Sequence, residues 1–239
     1  MRVARLGALL AALLFASPSA ADITARYALE GGRSITVRVS DSGDSRVSLG
    51  NEVSVITIGG VSYALMSDTQ GMFAIRQEEM LAALRRVVHG TANVLVTEAP
   101  ADLQPELTAH RFGEERVAGR SGTRWVLDFA GGEPVENPHW TFVISDDPEL
   151  APVGRALARQ YLTDTVDLQL AIGLGTPFGS VPRALHPQIR TGTLIRMDGM
   201  TLESVDPDPV PAAAFVLPVT ILDGNQFLAR IGLSLAEAD

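Results

Sequence analysis

Four histidines, His89, His110, His139 and His186, are the chain's bases for acid–base or metal chemistry, and they stand 21, 29 and 47 residues apart. A zinc-binding helix needs two histidines one turn apart, so that both imidazoles face one ion. No H-x-x-x-H exists here, and the absence of cysteine excludes thiolate ligands. The densest polar group is His139-Trp140 followed by Asp146-Asp147. It reads as a histidine at the start of a strand plus a helix cap, with an acid–base pair as the sharper alternative. Asp41 and Asp44 flank a turn, and two acids without further ordered ligands are turn chemistry before they are a calcium site. Asp206 and Asp208, either side of Pro207, face one side of an extended segment and are expected to be solvated.

Other constellations fail on spacing. There is no G-x-S-x-G to raise a serine nucleophile on a strained turn. Gly173-Leu174-Gly175-Thr176-Pro177-Phe178 begins like a dinucleotide loop, but it lacks the third glycine and carries proline where the helix should start. A phosphate-binding G-x-x-x-x-G-K-[ST] needs a lysine, and the chain has none. The expectation is therefore no catalytic residue, no metal, no cofactor and no enzymatic activity.

Charge and export come next. Arg2 and Arg5 precede an unbroken apolar run over residues 6–15, and Ser17-Pro18-Ser19-Ala20-Ala21 supplies small residues for cleavage. That run is too short to span a bilayer, which takes roughly 18 or more apolar residues. It reads as a signal peptide over residues 1–21, cut after Ala21, leaving one domain over 22–239 without a membrane anchor. Loss of Arg2 and Arg5 takes the formal charge from −9 to −11, which argues against nucleic acid or anionic lipid as main partner. No cysteine follows the signal for lipid attachment, and no disulfide can form, so the expected location is a bacterial periplasm. All nineteen basic residues are arginine. Genomic composition accounts for that, and phosphate recognition is the sharper reading; their spread along the chain favours the first.

The elements that would position these residues follow from periodicity. Residues 23–30, 33–40, 46–49, 52–58, 61–66 and 69–75 read as strands of an antiparallel meander, with Gly59-Gly60 a two-residue hairpin turn. Residues 77–89 switch to helical spacing, with Met80, Leu81, Leu84, Val87 and Val88 on one face. Strands return at 107–111, 115–118, 123–129 and 139–145, with a turn over 119–122. Asp147-Pro148-Glu149 then starts a helix to about residue 162, with Leu150, Val153, Leu157 and Tyr161 on one stripe. A strand at 166–172 and a loop at 173–187 precede strands at 189–197 and 200–205 around Asp198-Gly199. Residues 215–217 form an apolar plug, and the tail from Gln226 reads as a short helix. Strands without a βαβ rhythm, with two main helices, mean α+β: a large curved antiparallel sheet, a half-barrel, wrapping the helices.

This arrangement resembles exported bacterial proteins of the lipoprotein-localisation-factor (LolA/LolB-like) architecture. The likeness lies in Gly192-Thr193-Leu194-Ile195-Arg196, in Gly199-Met200-Thr201-Leu202-Glu203-Ser204-Val205, and in Val210-Pro211 before Phe215-Val216-Leu217-Pro218. Ala118-Gly119 through Trp125 adds a similar strand pair. The resemblance implies an incomplete barrel whose concave face, covered by helices, holds acyl chains or an apolar partner segment. It supplies no catalytic residues. An unfilled half-barrel suits an apolar ligand in any case. Met66, Met72, Met80, Met197 and Met200, with Leu84, Leu150 and Leu157, are the residues expected to line such a cavity. The same side chains also serve as ordinary core. The expected function is a soluble periplasmic carrier of a lipid or other apolar ligand. The alternative is an envelope interaction module with a protein partner, and an enzyme built around His139 ranks third.

Overall fold

The computed structural model describes residues 22–51, 53–91, 107–129, 140–161, 183–217 and 220–233. Among these residues twelve strands form one sheet: β1 (Ile23–Leu29), β2 (Ser34–Val39), β3 (Ser45–Leu49), β4 (Val53–Ile58), β5 (Val61–Asp68), β6 (Gly71–Arg76), β7 (Leu107–Val117), β8 (Arg120–Phe129), β9 (Thr141–Ser145), β10 (Thr193–Met197), β11 (Met200–Asp206) and β12 (Ile221–Leu222). They lie in the order β12-β6-β5-β4-β3-β2-β1-β11-β10-β9-β8-β7. Every pairing is antiparallel except the short parallel one between β12 and β6. The helices are α1 (Gln77–Thr91), α2 (Ala151–Tyr161), α3 (His186–Thr191) and α4 (Gly224–Arg230). This is the expected α+β class: a curved, unclosed sheet with helices against it. Its β7 edge bends back until it touches β11, and Glu115 of β7 ion-pairs with Arg196 of β10.

Strand alternation decides which face receives the helices. In β2, Ile35, Val37 and Val39 are buried while Ser34, Thr36 and Arg38 face the other way. Cross-strand partners share a face, so Val37, Val47, Val55 and Ala64 continue one apolar row from β2 to β5. Helix α2 lies on this face over β1, β2, β3 and β10, and its Val153, Ala156 and Leu157 complete the main core. Gly154 allows the close approach: a Cβ there would collide with Thr193 Oγ1 and lie 3.0 Å from the Gly192 carbonyl. Thr193 Oγ1 also donates to the Leu150 carbonyl at 2.9 Å, and Tyr27 donates from inside the core to the Leu194 carbonyl at 3.0 Å.

Helices α1 and α4 occupy the same face farther along, over β5 and β6. The Asp223 carboxylate caps α4 by accepting from the Asn225 and Gln226 amides, and Gln226 reaches back to the Asp223 amide. On the opposite face, Ile56, Leu65 and Ala74 pack with Ile58, Tyr63 and Leu217. Strands β4 to β6 are therefore apolar on both sides, whereas β1 to β3 alternate.

Several sequence expectations change at their boundaries. Residues 107–111 and 115–118 belong to one long strand, β7, interrupted by a bulge between Arg111 and Gly113. The following turn is Ala118-Gly119 alone. Gly122 lies inside β8, where a Cβ would come within 2.9 Å of Val143 Cγ1. The strand expected from residue 189 begins at Thr193, because Pro187 at the first turn starts α3 over the preceding residues. The expected signal peptide, the strand at 166–172 and most of the loop at 173–187 lie outside the described residues. The hairpins at Gly59-Gly60 and Asp198-Gly199 form as read. The apolar plug is split: Phe215 is buried and Leu217 packs on β4 and β5, but Val216 between them is exposed.

Candidate functional site

The eight residues expected to line an apolar cavity divide between two packings. Leu150, Leu157 and Met200 are buried in the main core with Met197 at its margin, all around α2 and the β10–β11 hairpin. Leu84 is buried between α1 and the sheet, with Met66 and Met80 partly buried beside it. Met72 joins neither. It alternates with the buried Phe73 on β6, so it emerges on the opposite face and stays 47% exposed.

The two packings differ in finish. Around α2 the buried centre is large, drawing on β1, β2, β3, β9, β10 and β11, with partly buried Leu29, Trp125, Met197 and Val205 among the side chains at its margin. Under α1 and α4 the buried centre is Ala64, Phe73, Ile75, Ala83, Leu84 and the α4 residues, and Met66, Met80, Leu81, Val87, Ile231 and Leu233 ring it only partly covered. Gln77 at the start of α1 donates from Nε2 to Gln160 Oε1 near the end of α2 at 3.5 Å, which joins the two helices at one point.

In the wing formed by α1, α4, β5 and β6, an arginine ties α4 to the β5–β6 hairpin. Arg230 donates from Nε and Nη2 to the Asp68 carboxylate at 2.8 and 2.9 Å, and from Nη2 to the Gly71 carbonyl at 3.0 Å. Its guanidinium lies 4.6 Å from the centre of the Phe73 ring, which in turn meets Phe227 at 6.5 Å. The Arg230 hydrogen bonds hold the Asp68 carboxyl down to about 2.

Two surface hollows open near charged groups, and neither touches any of the eight expected residues. One, about 560 Å³, is lined by Gly119, Arg120, Ser121, Asp146, Asp147 and Pro148. In it Arg120 clamps Glu149 and Asp147, each at 2.6 Å, and these bonds raise its pKa further. Asp147 also caps the turn into α2 by accepting from the Glu149 amide at 3.0 Å. The other hollow, about 250 Å³, lies between α1 and the start of α4, where Arg86 donates to Asn225 Oδ1 at 3.2 Å.

Among the described residues the acid–base candidates are not brought together. His139 lies outside the described residues, and Asp147 is committed to Arg120 and the helix cap. His110 is exposed on edge strand β7 and His186 opens α3. Asp44 accepts from the Gly59 amide and Asp206 from the Asp208 amide, both as turn caps. Among the described residues no group of three or more His, Asp or Glu side chains is placed to hold a metal ion. No helix among them is long and apolar enough to cross a membrane. Comparison with protein-family models, with curated proteins and with solved structures returns no match.

Proposed function

We propose that this chain is an exported binding protein of the bacterial periplasm that carries a lipid, an acyl chain or another apolar ligand, without catalysis. The supporting observation is the ring of partly buried side chains beneath α1 and α4, rich in flexible Met66 and Met80, on the helix-bearing face of an unclosed sheet. An apolar chain laid against that ring would gain roughly 25 cal/mol for each Å² removed from water, before ordering costs. Purification of the 22–239 chain from a periplasm, followed by mass spectrometry of its organic extract beside a denatured control, tests this. A lipid near one equivalent per protein supports the carrier; an empty protein that also fails to take up a fluorescent fatty acid refutes it.

A second reading, an envelope interaction module with a protein partner, draws on the other face of the same wing. Val61, Met72 and Ile221 stay exposed there beside the small Ile56–Leu65–Ala74 core. A photo-crosslinking residue at position 72 that captures one envelope protein in the native host would favour it.

A further inference from the structure

The sheet face opposite the helices gathers arginines that are far apart in the sequence. Arg38 on β2 sits directly across from Arg46 on β3, and Arg26 on β1 lies one diagonal step away, since Arg26 pairs with Thr36 and Arg38 with Thr24. Like charges directly opposite on adjacent strands oppose sheet formation. Burial lowers the Arg46 pKa, and repulsion from Arg38 lowers it again.

Among the described residues no carboxylate ion-pairs with any of the three, although Arg111, Arg196 and Arg230 each have one and Arg120 has two. The Arg46 donors go to neutral oxygens: Ser48 Oγ and Ser54 Oγ at 3.2 Å each, and the Ala214 carbonyl at 3.4 Å. Three carboxylates near these strands are turned to backbone amides. Asp22 accepts from Asp41 and Val210, Asp44 from Gly59, and Asp206 from Asp208.

We propose that the outer face of β1 to β3 is a binding site for a phosphate-type oxyanion, held between Arg38 and Arg46 with Arg26 at its flank. A guanidinium fork matches a tetrahedral oxyanion, and two forks across one strand gap match a dianion. Thr24 and Thr36 supply hydroxyls on the same face, while the buried Ser48 and Ser54 hydroxyls hold the Arg46 guanidinium from below. The bound charge replaces the repulsion between Arg38 and Arg46 with attraction. The site is independent of the carrier reading, because it lies on the opposite side of the sheet from α1, α2 and α4. Its anion is either free phosphate or the headgroup of a phospholipid.

The test compares the protein with Arg38→Gln, a residue whose side chain makes no hydrogen bond among the described residues. Inorganic phosphate is titrated calorimetrically against chloride at equal ionic strength. Vesicles of phosphatidylcholine with and without phosphatidylglycerol form the second arm. Saturable phosphate binding that Arg38→Gln weakens by about tenfold or more supports the site with a free anion. Binding confined to phosphatidylglycerol vesicles and lost in Arg38→Gln supports it with a lipid headgroup. Without phosphate, the variant should melt at or above the wild-type temperature, since a like-charge contact is gone, and phosphate should raise the wild-type Tm alone. Absence of saturable binding in both arms overturns the proposal. So does binding that Arg38→Gln leaves intact, or a variant that is destabilised in phosphate-free buffer.

Discussion

The region around α2 and the wing under α1 and α4 are built on one sheet, yet they are held in different ways. Around α2 the fit is steric: a glycine lets the helix sit on β10, and the helix stripe is buried against strands of the largest core cluster among the described residues. In the wing the sheet is apolar on both faces, the cover on one side is two helices and on the other a single strap, and an arginine latch fixes the last helix. A steric lock resists change through volume, whereas a latch resists it through charge. The two therefore respond to different perturbations, and on the proposed carrier reading the wing is the part that opens for a ligand.

The sharpest way to break this comparison is Leu157→Ala in α2. Leu157 is 1% exposed, and its truncation should cost about 3–4 kcal/mol of global stability, read from denaturant unfolding with an unchanged m-value. Phe227→Ala in α4 comes next, at about 3 kcal/mol. Its signature should be local: amide exchange accelerates through α1 and α4 while β1, β2 and β10 keep their protection. Equal acceleration in all of them would mean that the wing does not open by itself. Asp68→Asn should have a smaller effect, because it removes a surface latch. The folded Asp68 pKa, about 2, lies below the ordinary value, so its contribution is complete above about pH 4 and is lost as pH falls toward 2. The melting temperatures of wild type and Asp68→Asn should thus differ at pH 6 and converge near pH 2. Met72→Ser should be nearly silent, within about 0.5 kcal/mol, because its side chain already meets solvent. An effect on ligand occupancy equal to that of Met80→Ser would instead place Met72 in the binding surface.

Sequence and structure agree where one local rule decides the backbone. Gly59-Gly60 and Asp198-Gly199 are hairpin turns whatever surrounds them, and Asp147-Pro148 opens a helix turn for its own reasons. The Asp223…Gln226 capping box was equally local and marks a helix start at Gly224, two residues before the short helix read there. Strand β7 shows where such rules stop. Its residues are mostly exposed, so no alternation bridges the bulge at Arg111 and Gly113. Met72 shows a further limit, since composition marks a methionine as a pocket filler but one step of strand parity sends it outward. The arginine face depends on register between strands, which no spacing within the chain encodes. Nineteen scattered arginines look evenly spread until pairing brings three of them together.

The hydrogen bond from Tyr27 to the Leu194 carbonyl joins residues 167 positions apart, and β1 pairs along its length with β11. The first strand to leave a ribosome or a translocation pore is thus completed by one of the last. Strands β1 to β6 can zip together early as hairpins, but β1 keeps a bare edge until residue 206 has emerged. Closing that large loop sets a slow step late in assembly, with the exposed edge open to capture by other chains in the meantime. If the chain is exported as proposed, such timing keeps it threadable until β11 is through.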